Sequence, residues 1–144
     1  MIITFCGHSQ IGDIDRVKSW LTVTVETLIK NGARTFYLGG YGDFDMLASA
    51  VVREMKVKYP TIESVLVLPY LNKSVNTALY DATVYPPLEN TPKRYCIVKR
   101  NQWMVEHSDI VVSYITHDWG GAVKTYEHAL KKGKSILNYG GKLT

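Results

Sequence analysis

Short runs of β-branched and apolar residues alternate along this chain with longer amphipathic stretches, and that alternation constrains the fold more than any other feature. It is the pattern of βαβ units, because each parallel strand needs a crossover helix to bring the chain back to the same end of the sheet. Strands are predicted at residues 2–6, 35–38, 65–68, 109–115 and 135–139, and helices at 14–30, 44–58, 93–107 and 123–132. The first helix carries Val17, Trp20, Leu21, Val25 and Leu28 on one stripe and stops at Asn31-Gly32. The second ends before Tyr59-Pro60. The run at 109–115 is apolar at nearly every position, as in a strand buried on both faces. Residues 69–92, with Pro86-Pro87, show little periodicity and are too long for an ordinary connection, which marks a functional or mobile loop. The fold expected is α/β: a Rossmann-like open, mainly parallel five-stranded sheet with helices on both faces, in a single domain over residues 1–144.

A hydrophobic fraction of 46% and a charged fraction of 21% exclude a disordered chain. No apolar run reaches the roughly 18 to 20 residues of a membrane span, and the amino terminus reads straight into a strand, so a cytoplasmic protein is expected. Cys6 and Cys96 are too few for a disulfide framework and are read as buried thiols. The net charge of +4 favours anionic ligands, but much of it is dispersed, and Lys131, Lys132 and Lys134 suit the solvated end of a helix. Nucleic acid is accordingly not expected as a partner. His8 and His117 can titrate near neutrality but have no ligand-type neighbours at metal spacing, so neither a metal nor a cofactor is expected.

In an open parallel sheet, ligands bind where the loops at the carboxyl ends of the strands converge. Gly7-His8-Ser9 follows the first strand. Gly39-Gly40-Tyr41-Gly42-Asp43 follows the second and leads into a helix, so free amides and the helix dipole can face a phosphate, while Asp43 and Asp45 suit either a helix cap or ribose hydroxyls. Trp119-Gly120-Gly121 repeats the arrangement after the strand at 109–115 and precedes Lys124, Thr125 and Glu127. Lys124 and Thr125 suit phosphate, and Glu127 suits a ribose diol or an anomeric carbon. Arg100 and Asn101 lie in the preceding helix, where an arginine can clamp phosphate or carboxylate. Tyr41, Tyr70, Tyr85 and Trp119 fall in loops where a ring can stack on a base.

Phe5-Cys6-Gly7-His8-Ser9, Tyr37-Leu38-Gly39-Gly40, Arg100 with Met104 and Ser108-Asp109, and Gly120-Gly121 with Thr125 and Glu127 follow one another as in the SLOG superfamily. That group includes the Lonely Guy phosphoribohydrolases, the DNA-processing protein A fold and nucleotide-sensing domains of bacterial defence systems. Tyr85-Pro86-Pro87-Leu88-Glu89, the segment from Arg100 to Val105 and Trp119-Gly120-Gly121-Ala122 resemble small bacterial and phage members most. In Lonely Guy enzymes an arginine spaced as Arg100 is from Met104 and Asp109 helps bind and cleave a nucleoside monophosphate. The last glycine motif departs from theirs: there is an extra residue before Thr125, and His128 stands where they carry glutamate. Glu127 instead resembles, in placement, the nucleophilic glutamate of nucleoside 2-deoxyribosyltransferase-like proteins.

The resemblance therefore implies a protein that binds an adenine nucleotide or a ligand of the ADP-ribose or cyclic ADP-ribose class. It would act as a sensor or a sequestering sponge in bacterial or phage defence signalling, and a homo-oligomer is expected. The alternative is a nucleotide N-glycosidase with Glu127 as nucleophile or oxocarbenium stabiliser and Arg100 on the phosphate, and a third reading, ranked last, is nucleic-acid binding by analogy with the DNA-processing fold.

Overall fold

A computed structural model describes residues 1–71 and 76–140. The predicted loop over 69–92 lies partly outside those residues. Asp13 opens helix α1 (Ile14–Lys30) by accepting the Arg16 N–H at 3.2 Å, and Gly32, at φ 108°, lies just beyond its end. Val17, Leu21, Val25 and Leu28 recur at helical spacing and are buried, which fixes the face that α1 turns to the sheet. Helices α2 (Asp43–Lys58), α3 (Cys96–Glu106) and α4 (Gly121–Lys131) complete the set.

The strands are β1 (Ile2–Gly7), β2 (Thr35–Leu38), β3 (Glu63–Val67), β4 (Ala82–Val84), β5 (Ile110–Tyr114) and β6 (Ser135–Asn138). All pair in parallel, in the order β4-β3-β2-β1-β5-β6. Alternation along β1 divides the core between two layers. Ile3 and Phe5 pack with Val17 and Leu21 of α1 and Phe44 and Val51 of α2. Cys6 packs with Val105 of α3 and Ala129 of α4. The Rossmann-like α/β arrangement with helices on both faces is therefore present.

The sheet has six strands rather than the five read from the sequence, the addition being β4 inside the long connection. Three residues carry too little periodicity to announce a strand. What holds this edge is Asp81, whose carboxylate accepts from Ser64 N and Oγ at 2.8 and 3.2 Å and from Lys56 Nζ at 3.1 Å.

The chain moves outward from β1 through β2, β3 and β4, then crosses to β5 on the other side of β1. The strand order thus reverses between β1 and β5, and the loops leaving their carboxyl ends diverge and leave a crevice. No helix among the described residues is long and apolar enough to cross a membrane.

Candidate functional site

The crevice at that switch point is a cleft of about 470 Å³. Four segments wall it. Gly7, His8 and Ser9 come from the end of β1, Tyr41 and Asp45 from the turn into α2, Arg100 and Asn101 from α3, and Trp119, Gly120, Gly121 and Thr125 from the turn into α4. Gly39, Gly40, Gly42, Asp43, Lys124 and Glu127 do not line it.

One wall is a stack of three rings. His8 lies against His117 with centroids 3.5 Å apart and an interplanar angle of 11°, and His117 lies against Trp119 at 3.9 Å and 20°. His8 is buried, and its Nε2 accepts the N–H groups of Thr116 at 2.9 Å and His117 at 3.4 Å. A neutral ring that accepts at Nε2 carries its proton on Nδ1. Burial, reinforced by His117, holds the His8 pKa below the usual imidazole range and favours that neutral form. His117 Nδ1 is buried with no hydrogen-bond partner among the described residues. The indole of Trp119 ends the stack and is 69% exposed.

The opposite character belongs to Arg100 and Asp45. Arg100 is 2% exposed, and its Nη1 donates to the carbonyls of Gly39 at 3.1 Å and Val67 at 2.8 Å, while Nε donates to Asn101 Oδ1 at 2.8 Å. Burial lowers its pKa, against the charge of Asp45 and of Tyr70. Gly39 is required here by close approach. A Cβ at that position would stand 2.8 Å from Asp45 Oδ2 and 3.4 Å from the Arg100 guanidinium.

Asp45 is half-buried and accepts the Tyr41 N–H at 3.3 Å. Burial raises its pKa to about 6, against the pull of Arg100 and that backbone N–H. Cys6 also lines the cleft, and burial pushes its thiol up, followed by the Asp45 charge, so it is a neutral thiol rather than a nucleophilic thiolate.

At the third wall, Gly120 has φ 105° and α4 begins without a side-chain cap or an acidic residue in its first turn. Gly120, Gly121 and Ala122 line the cleft there, so the helix presents its positive end to it. Thr125 is buried and donates from Oγ1 to the Gly121 carbonyl at 3.3 Å.

Several residues singled out in the sequence have other positions. Glu127 and Lys124 are exposed on α4, outside the cleft, so among the described residues the acidic side chain that faces the cleft is Asp45. Asp109 accepts the Ile2 N–H at 2.7 Å and ties the start of β1 to β5, while Met104 is core. Cys6, Gln10, Ile97, His117 and Ala122 line the cleft without having been singled out as contacts. Ile97 precedes Arg100 by three residues, the spacing that shares a helix face. His8 and His117 follow strands that become neighbours only once the β1–β5 pairing is known. Among the described residues, no three His, Cys, Asp or Glu side chains are grouped to hold a metal ion.

The sheet order and the cleft at its switch point define an open Rossmann-like α/β domain. No family model and no curated protein matches the sequence. Solved structures do share its fold. DNA processing protein A from Helicobacter pylori, described for its single-stranded DNA binding mode, matches with a TM-score of 0.68 at 16% identity, over 96% of this chain and 64% of that one. DNA processing protein A from Streptococcus pneumoniae matches at 0.67 and 12% identity, over 94% of this chain and 49% of that one. The Moco carrier protein of Chlamydomonas rheinhardtii matches at 0.56 and 14% identity, over 95% and 74%. The chain thus spans about two thirds and one half of the two DNA processing protein A chains. At these identities the likeness is one of fold.

It also corrects one expectation. Dispersed charge gave the reading that nucleic acid is not a partner, but this fold serves a protein that binds single-stranded DNA. The net charge alone does not support that exclusion.

Proposed function

We propose that the cleft binds a nucleotide or nucleotide-derived small molecule of the AMP, ADP-ribose or cyclic ADP-ribose class, and that the protein is a sensor or sequestering protein for it. The observation that carries this reading is the His8–His117–Trp119 stack, which ends on an exposed indole inside a cleft of about 470 Å³. A base placed on that indole extends the stack by one ring, and the cleft has the size of a small-molecule site. The uncapped start of α4 offers amides to a phosphate, and Asp45 offers a carboxylate to hydroxyls. Glu127, outside the cleft, gives no support to the glycosidase alternative.

Isothermal titration with AMP, NAD, ADP-ribose and cyclic ADP-ribose tests the proposal. At least one should saturate the protein, and Trp119→Ala should weaken it by roughly tenfold or more while the fold stays intact, since stacking on one ring contributes about 1–3 kcal/mol. Silence across the whole panel sinks the proposal.

A second reading is supported by the fold shared with the single-stranded-DNA-binding protein of Helicobacter pylori. Aromatic faces with a net charge of +4 also suit a strand of nucleotides. A short oligothymidylate that binds at about 150 mM salt and is displaced by AMP would place the strand in the same cleft. Binding that vanishes at that salt would be general electrostatics.

A further inference from the structure

We propose that Asp45 makes the cleft select ligands with a free vicinal diol, so that the nucleotide it holds is a ribonucleotide with unmodified 2′ and 3′ hydroxyls. This rests on the nucleotide reading above. Asp45 is the acidic side chain among the described residues that line the cleft. It accepts the Tyr41 N–H, and among the described residues it forms no ion pair. Arg100 lies close by, but its Nη1 and Nε are committed to Gly39, Val67 and Asn101. A half-buried carboxylate therefore stands at the cleft with most of its roughly four acceptor positions unfilled.

The chemistry of what fills them is restricted. A phosphate beside Asp45 meets like charge. An ammonium meets the like charge of Arg100. Two neutral O–H groups on adjacent carbons satisfy both carboxylate oxygens and add no charge, and a hydrogen bond to an ionised acceptor is among the stronger ones. Carboxylate recognition of ribose hydroxyls follows the same logic in other Rossmann-like sites.

The selection carries a pH signature. With a pKa raised to about 6, Asp45 is a carboxylate above that pH and a neutral acid below it. The protonated form loses one of its two acceptor oxygens to an O–H donor, so discrimination is full on the alkaline side and declines as pH falls through about 6. The charged and titratable groups around it are Arg100 from α3 with Tyr70 beyond, Cys6 from β1, Asp43 on its own helix, and His8 and His117 along the cleft. Because two imidazoles share the cleft, Asp45→Asn isolates the share of the carboxyl.

Titration calorimetry with AMP and 2′-deoxyAMP, at about pH 8 and about pH 5, decides it. AMP should bind roughly tenfold or more tightly than 2′-deoxyAMP at the higher pH. The gap should narrow several-fold at the lower pH and be absent at both in Asp45→Asn. Equal affinities at the higher pH overturn the diol assignment and leave the nucleotide reading standing. If AMP, NAD, ADP-ribose and cyclic ADP-ribose all fail to bind, the nucleotide reading falls and this inference with it. Should Asp45→Asn lose its circular dichroism signature, the wild-type protein still decides, because equal affinities for AMP and 2′-deoxyAMP at the higher pH overturn the proposal.

Discussion

Two glycine turns connect a strand to a helix in this molecule, and each combines a glycine pair with an aromatic residue. Each helix, α2 and α4, starts after a glycine in the left-handed region, Gly42 at φ 89° and Gly120 at φ 105°, and neither has a side-chain cap. Their surroundings are opposite. The turn into α2 is closed by the chain itself: the Asp43 N–H donates to Ser9 O at 2.9 Å, the Tyr41 N–H to Asp45, and the first helical turn already holds two carboxylates. The turn into α4 has no acid in its first turn, and a Cβ at Gly120 or Gly121 would meet nothing within 4 Å. A glycine turn offers its amides to an anion only where the protein has not used them. By that criterion the second turn has the freer amides, while the first packs against the chain and brings Tyr41 and Asp45 to the cleft.

The contrast breaks most sharply at Arg100, which fastens the first turn from below. Arg100→Met leaves the carbonyls of Gly39 and Val67 and the Asn101 amide oxygen without their donor. Leaving a buried acceptor without its donor costs about 1–3 kcal/mol, so three together cost about 3–5 kcal/mol, and Lys, a point charge without the planar fork, should recover little of it. Urea denaturation of both variants measures this. A loss below about 1 kcal/mol for Met would mean that Arg100 does not hold the turn.

The glycines themselves give the next largest effect. Gly42→Ala puts a Cβ 3.0 Å from Ser9 Cα in a left-handed conformation, which should cost about 2–4 kcal/mol from backbone and contact strain together. Gly121→Ala, in open space at the start of α4 and outside the left-handed region, should change stability by no more than about 0.5 kcal/mol while weakening nucleotide binding. Equal losses of stability would erase the distinction between the two turns.

How much of this was legible beforehand follows the same division. Helix α1 runs over the residues its apolar stripe and flanking Asp13 and Asn31-Gly32 indicate, because those signals are local. Strand β4 was not legible, because it depends on Asp81 reaching Ser64 across 17 positions of sequence. At the site, the loops at the strand ends were readable from the βαβ pattern. The direction of each side chain was not. Tyr41 and Asp45 reach the cleft while Gly39, Gly40, Gly42 and Asp43 between and beside them do not, and His117 joins His8 only through the pairing of β1 with β5.

The smallest expected effect tests that directional point on α4. Residues two apart on a helix stand roughly 200° apart around its axis, so a face that turns Thr125 inward turns Glu127 outward. Thr125 is buried on the cleft and Glu127 is exposed. Glu127→Ala should therefore leave both the denaturation midpoint and nucleotide affinity within error, whereas Thr125→Val, equal in shape but without the hydroxyl, should weaken nucleotide binding. A tenfold loss of affinity in Glu127→Ala would put a second carboxylate in the site. It would also bring Glu127 within reach of an anomeric carbon and favour the glycosidase alternative.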